Sequence, residues 1–404
     1  MRGLLLQPYD TGSHRAWADG YLRHSEVDWR ALRLPGRFWK WRMHGAAVTF
    51  AERLGADGQT PDVVLTTDML DVATWRGLAP WPAHPPLVLY MHENQLAYPT
   101  AAIDADWTPS RQRRAARPDV HYAWLNLTAA LAADAVAWNS AHNRDTFLDA
   151  VPAFLRQFPD AVPDHVPHTI AAKSTVLPLG LDLWPTAPRS HDDAVRPPRL
   201  VWNHRWEHDK DPEAFVALLS RLVALGLPFD VTLLGETFGR AHPARRLAVN
   251  VLGDRLAHDG FVADVQAYRA ELARADVVVS TARHEFFGAS VCEAVWAGAW
   301  PVLPHGLGYG EWLPASLRSE VIHHDADALL ALTVRALQAA ATPRNRALRR
   351  QTHAALRDAI APLAWPVMAP RYDALLADTV RTARAAGSGA ADVRRALPAM
   401  GRCP

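Results

Sequence analysis

The chain predicts a two-domain α/β protein built on two parallel sheets. Three observations carry this. Short apolar runs alternate with longer amphipathic ones along most of the 404 residues. A proline-rich stretch without apolar periodicity, Leu183–Pro198, separates two halves of the same character. Beyond about residue 325 the sequence turns helical and rich in Ala and Arg. The expected division is 1–188, 189–365, and C-terminal helices with a tail over 366–404 that cross back to the first domain. A chain of this length accommodates two or three domains, and an apolar fraction of 49% supplies real cores.

In order, the first series of expected strands is Gly3–Gln7, Val63–Thr67, Leu87–His92, Ala135–Asn139 and Ser174–Leu177. The second is Arg199–Asn203, Phe229–Leu234, Val277–Ser280 and Trp300–Leu303. Helical periodicity lies between them, as in Pro212–Leu225, Val262–Arg274 and Ala289–Ala297. Strand–helix alternation implies βαβ units and parallel pairing. The opening MRGLLLQPYD holds only three consecutive leucines, which suits a buried strand and not a signal peptide. No apolar run reaches the roughly 18 residues of a membrane span, so a cytoplasmic protein without a membrane partner is expected.

Lys plus Arg total 43 against 42 Asp plus Glu, a formal net charge of +1. That excludes a bulk polycation but not a local basic patch. Lysine occurs only at 40, 173 and 210, while tryptophan occurs 16 times. The two cysteines, Cys292 and Cys403, form neither a disulfide framework nor a CxxC metal motif, and no metal site is expected.

Parallel-sheet proteins bind ligands at the carboxyl ends of their strands, and in two facing domains those ends meet across a cleft. Five constellations sit there or nearby. Glu285 to Glu293 reads EFFGASVCE: two glutamates eight apart, Gly288 for close backbone approach, and Ala289 and Ser290 opening a helix. A helix N-terminus suits a diphosphate, and carboxylates suit sugar hydroxyls; taken alone, the motif also suits an ordinary helix start and a solvated face. Arg205 and Lys210, five apart after the strand Arg199–Asn203, offer two cations for a diphosphate; the plainer alternative is a solvated loop charge pairing with Glu207 or Asp211. His92, Glu93, Asn94 and Gln95 follow their strand as four consecutive polar residues. They form a polar ligand site or a helix start capped by Asn94. Gly12, Ser13 and His14 follow the first strand, where a Gly-Ser turn can cradle a phosphate. Arg30–His44 carries four Arg and one Lys, no acid, and Phe38, Trp39 and Trp41 interleaved. Cations alternating with flat rings suit single-stranded RNA, whereas tryptophans in the core with arginines reaching solvent is the ordinary alternative. Arg111, Arg113, Arg114 and Arg117 form a second acid-free cluster, and Arg344, Arg346, Arg349 and Arg350 follow later.

Together these loops resemble a GT-B glycosyltransferase of family four, which carries E-x7-E in its C-terminal domain and opens that domain with an Arg and a Lys five apart. PGRFWKWRMHGAA, MHENQLAYP and HEFFG, with GSH near the start, are more specifically similar to the tRNA-queuosine α-mannosyltransferase family. The resemblance implies a GT-B fold, two Rossmann-like domains facing across a cleft, with the acceptor on the N-terminal domain and the nucleotide sugar on the C-terminal one. It implies that Arg205 and Lys210 bind the donor diphosphate, Glu285 the sugar, Glu293 the ribose, and the backbone around Phe287, Gly288, Ala289 and Ser290 the phosphates, with Gly12 and Ser13 assisting. His92 faces the donor sugar and acceptor hydroxyl as the catalytic partner of Glu285. His14, Glu93, Asn94 and Gln95 shape the acceptor pocket, and Arg37, Lys40 and Arg42 meet the RNA. The implied reaction is a retaining, metal-independent transfer of mannose from GDP-mannose to queuosine at the wobble position of tRNA-Asp, without a cofactor. The first phosphate loop reads TGS where family four commonly has Gly-Gly.

Three rivals remain in view: the same chemistry with a glycan, lipid or small-metabolite acceptor; an RNA-binding protein on the same fold; and a sugar-nucleotide epimerase or phosphorylase. Intact donor residues argue against the second, and the near absence of a lysine for pyridoxal phosphate against a phosphorylase.

Overall fold

The computed structural model describes residues 1–55, 59–81, 83–97, 120–186, 196–236 and 242–396, with backbone alone for 347–351 and 386–396. Among the described residues two compact units emerge: residues 1–97 with 120–180 and the segment from Trp365, and residues 181–364. The long helix Trp365–Ala396 thus belongs to the first unit.

The first unit holds β1 (Arg2–Asp10), β2 (Asp28–Pro35), β3 (Val63–Thr67), β4 (Leu87–Met91), β5 (Ala135–Trp138) and β6 (Ser174–Val176) in the order β2-β1-β3-β4-β5-β6. The second holds β7 (Arg199–Trp202), β8 (Asp230–Leu233), β9 (Leu256–Asp259), β10 (Val277–Val279), β11 (Trp300–Pro304) and β12 (Ile322–His323) in the order β12-β11-β10-β7-β8-β9. All pairings are parallel. Every residue of β3, β4 and β10 is buried, because helices cover both faces of such a sheet; their sequences are accordingly apolar apart from Thr66 and Thr67 at the end of β3.

All nine expected strands are present. Three further strands, β2, β9 and β12, went unforeseen. Each is an edge strand, incompletely buried, and so lacks the apolar run that announces a central strand. The segment Arg30–His44 spans two elements. Its first part is strand, where Arg33 pairs with Asp19 at 2.6 Å, and its last part opens the helix Trp39–Leu54.

Strand order decides where a ligand can bind. In the second unit the order reverses between β7 and β10, so the loops leaving those two strands flank an open crevice. In the first unit it reverses between β1 and β3. The loops after β1, β3 and β4 therefore lie at that unit's crevice end. No helix among the described residues is long and apolar enough to cross a membrane.

Candidate active site

The loop after β7 and the loop after β10 are fastened into one structure. Lys210 Nζ lies 3.1 Å from Glu285 Oε2 and 3.0 Å from Asp209 Oδ2, and it donates to the His284 carbonyl at 3.0 Å. The amides of Arg283 and His284 donate to the Asp209 carbonyl, and the Thr281 hydroxyl to the Lys210 carbonyl at 2.8 Å. Lys210 is buried. Burial works against its ammonium, but the carboxylates of Glu285 and Asp209 more than compensate and hold its pKa above the ordinary lysine value. Burial likewise opposes the Glu285 carboxylate, yet Lys210 brings its pKa down to about 2. The pair is therefore ionised throughout the neutral range. Lys210 thus does not take the partners that a solvated loop charge was expected to take. Arg205 does take one of them: it reaches Glu207 at 3.3 Å and stays partly exposed.

Glu285 Oε1 accepts from the amides of Gly288 at 3.1 Å and Phe287 at 3.3 Å, which fixes the carboxylate against the turn entering the helix Ala289–Trp296. Gly288 has φ of 87°, and a Cβ there would sit 2.3 Å from the Tyr309 ring. Glycine is required on both counts. That helix has no acidic residue in its first turn and no side-chain cap, so its first N–H groups suit an anion. Phe287 is buried, its carbonyl accepts from Trp312 and its amide donates to Glu285, so it holds the turn that leads into the helix. Glu293, half-buried one turn on, accepts from the Tyr268 hydroxyl at 2.9 Å. Asn203 donates to the Ser290 carbonyl at 2.7 Å, joining the end of β7 to the same helix.

Sequence reading missed several groups here. His204 is buried between β7 and Arg205, its Nε2 makes no hydrogen bond among the described residues, and burial, then Lys210, lowers its pKa to about 4. Asp209 and Tyr268 are the others. His204 and Asp209 lie in the loop already singled out, whereas Tyr268 sits within the helix Val265–Arg274 and only its contact with Glu293 reveals it.

In the first unit, His92 closes β4. Its amide donates to Asp68 Oδ1 at 2.9 Å and its carbonyl accepts from Asn139 at 2.7 Å. Its buried ring stands edge-on to Trp17 at 4.8 Å, Tyr90 at 4.9 Å and His14 at 4.5 Å. Nε2 has no hydrogen-bond partner among the described residues. Burial, then His14, holds the imidazole well below the ordinary histidine pKa, so the ring is neutral and can both donate and accept. Tyr372, from the C-terminal helix, stacks on Tyr90 at 5.4 Å and receives the Trp17 indole N–H, so that helix braces the box around His92.

The four polar residues after β4 do not act alike. Asn94 is fully buried and its amide is saturated by Asn143 and by the Ala97 amide. It caps the short turn that follows and holds the loop; the described residues there form a turn and not the helix start of the capping alternative. The Gln95 amide donates to Asn126, whose own amide donates to the Asp68 carbonyl. Glu93 and Gln95 keep half-exposed side chains. Burial, then the nearby Glu93 charge, raises Asp68 to about 8; this residue too was missed. Gly12, in left-handed conformation with φ of 50°, and Ser13 are exposed at the start of the helix Gly12–His24, and the His14 carbonyl accepts from Gln7. Arg37, Lys40 and Arg42 lie at the start of the helix Trp39–Leu54. The cluster at Arg111, Arg113, Arg114 and Arg117 and the side chains of Arg349 and Arg350 lie outside the described residues.

Comparison with known proteins agrees with this geometry. Residues 2–181 match the family model of the tRNA-queuosine alpha-mannosyltransferase N-terminal domain, and residues 159–369 match a model described as family 4 glycosyltransferase in conflict systems. The tRNA-queuosine alpha-mannosyltransferase of Drosophila melanogaster is 32% identical over 326 residues, 77% of this chain and 81% of that protein. Among solved structures, a sucrose-phosphate synthase from Thermosynechococcus elongatus is similar at a TM-score of 0.68 and 16% identity, covering 96% of this chain and 100% of that one. A UDP-forming α,α-trehalose-phosphate synthase from Burkholderia xenovorans is similar at 0.62 and 13%, covering 94% and 99%. Their likeness bears out the expected GT-B class.

Proposed function

This chain belongs to the tRNA-queuosine alpha-mannosyltransferase family, and on that premise we propose that it moves mannose from GDP-mannose to queuosine in tRNA-Asp, with retention and without a metal. The observation that carries the reading is the ion pair of buried Lys210 with Glu285, which joins the two family-four motifs at the point where strand order reverses. Lys210 and Arg205 neutralise the diphosphate as it leaves, Glu285 receives sugar hydroxyls and Glu293 the ribose. The backbone from Phe287 to Ser290 cradles phosphate, with Gly12 and Ser13 adding contacts. Charge that grows on the departing diphosphate is met by Lys210, held in place by Glu285 and Asp209, and by Arg205 turning from Glu207 to the ligand.

The C1–O bond to the diphosphate breaks as the acceptor oxygen bonds to C1 on the same face. The acceptor proton passes to a departing phosphate oxygen. A neutral His92 suits this step: it can hydrogen-bond the sugar and the incoming hydroxyl without adding charge. His14, Glu93 and Gln95 line the acceptor side with Asn94 holding their loop, and Arg37, Lys40 and Arg42 meet RNA phosphates. A tRNA acceptor places the work in the cytoplasm. The test is incubation of queuosine-containing and queuosine-lacking tRNA with GDP-mannose or UDP-sugars, then digestion and mass spectrometry. A gain of one hexose on queuosine with GDP-mannose alone is expected; no gain, or gain on the lacking tRNA, overturns the assignment.

A further inference from the structure

The start of the helix Trp39–Leu54 exposes rings where a globular surface normally hides them. Phe38 is 72% exposed, Trp41 62% and Trp39 37%. Single exposed apolar residues are common, but three large rings so close together are not. Their positions are fixed. Phe38 is held left-handed at φ 54°, ψ 55°, a conformation that is an outlier for a bulky aromatic. Trp41 lies along its own helix over Gly45, where a Cβ would come 2.5 Å from the indole. Trp39 packs on Tyr122 at 5.2 Å.

Charge surrounds the rings. The Arg37 guanidinium is 5.9 Å from the Phe38 ring and Lys40 Nζ 5.5 Å from the Trp39 ring. No acid occurs from Arg30 to His44. The helix begins without a side-chain cap or an acidic residue in its first turn. The inner face of this helix also meets the His92 side of the unit: Met43 shares a buried apolar cluster with Met69, the residue after Asp68.

We propose that Phe38 and Trp41 form a stacking platform for unpaired bases of the acceptor RNA, with Arg37, Lys40 and Arg42 holding the flanking phosphates. The inference rests on the tRNA reading above and deepens it. Exposed rings interleaved with cations suit bases whose faces are free; a duplex hides those faces and would leave the rings unused. The platform therefore selects a single-stranded loop over a stem.

The test is tRNA binding against salt for the wild type, Phe38→Ala, Trp41→Ala, Trp41→Phe and the triple Arg37→Ala, Lys40→Ala, Arg42→Ala, with thermal melts to confirm folding. Each ring-to-Ala change is expected to weaken binding about 5- to 150-fold with an unchanged slope of log K on log salt, and Trp41→Phe to restore most of it. The triple change is expected to reduce that slope by about 2. Wild-type affinity in both ring variants, with transfer to queuosine tRNA intact, overturns the platform and leaves the transferase reading standing. If the wild type transfers nothing, ring-dependent binding of a single-stranded oligoribonucleotide still supports the platform, and its absence overturns it. Ring-dependent binding to phosphatidylserine vesicles, with none to RNA, overturns it in favour of a membrane-facing surface.

Discussion

The crevice ends of the two units use opposite electrostatics. In the second unit, buried Lys210 lies between the Asp209 and Glu285 carboxylates, and its ammonium keeps both ionised while they keep it charged. In the first, burial pushes His92 and Asp68 toward their neutral forms, and the surrounding loop is held by asparagine amides instead of ion pairs. A leaving diphosphate needs fixed charge; a hydroxyl approaching a sugar carbon needs polar groups that contribute none. On the proposed function, one end holds an anion and the other positions neutral oxygens.

Glu285→Ala strains this comparison most. It removes the carboxylate that clamps Lys210 and the turn at Gly288, and kcat/KM is expected to fall about 10²–10³-fold. Steady-state kinetics checks it, with a denaturant melt to show that the variant folds; a variant with normal turnover would break the donor-site assignment. Asn94→Ala leaves buried donors and acceptors of Asn143 and Ala97 without partners. A stability loss of about 1–3 kcal/mol is expected in urea titration, with a smaller effect on GDP-mannose affinity, because the hydrogen bonds it removes lie within the first unit.

Asp68→Asn is read as a slope of stability against pH. The Asp68 pKa in the folded chain, about 8, lies above its ordinary value of 3.8. Between these limits the folded state binds the extra proton and the unfolded state does not, so this group makes stability fall as pH rises. Asparagine removes the dependence. The variant should gain on wild type by up to roughly 1.4 kcal/mol per pH unit from about pH 4 to pH 8. Urea melts across that range check it; a difference that does not vary with pH contradicts the neutral reading of the first crevice.

What the sequence made legible follows the same division. Central strands such as β3 and β10 were plain because both faces are buried, and the edge strands β2, β9 and β12 were not. Arg205/Lys210 and Glu285/Glu293 were visible as spacings within single loops. Asp209, His204, Tyr268 and Asp68 were invisible because their roles arise from contacts between segments distant in the chain. The tryptophans divide: Trp75, Trp138, Trp202 and Trp365 are fully buried, whereas Trp41 lies outside. Composition could not tell one group from the other, since a helix start reads the same whether its rings face core or solvent.

The most direct test of the division of labour is calorimetric titration of GDP and GDP-mannose into the wild type, Lys210→Met and His92→Ala. Lys210→Met should weaken both ligands about 10- to 150-fold, the loss of a charge-assisted contact. His92→Ala should leave GDP affinity unchanged and weaken only GDP-mannose. Equal losses of GDP affinity in the two variants would contradict the account.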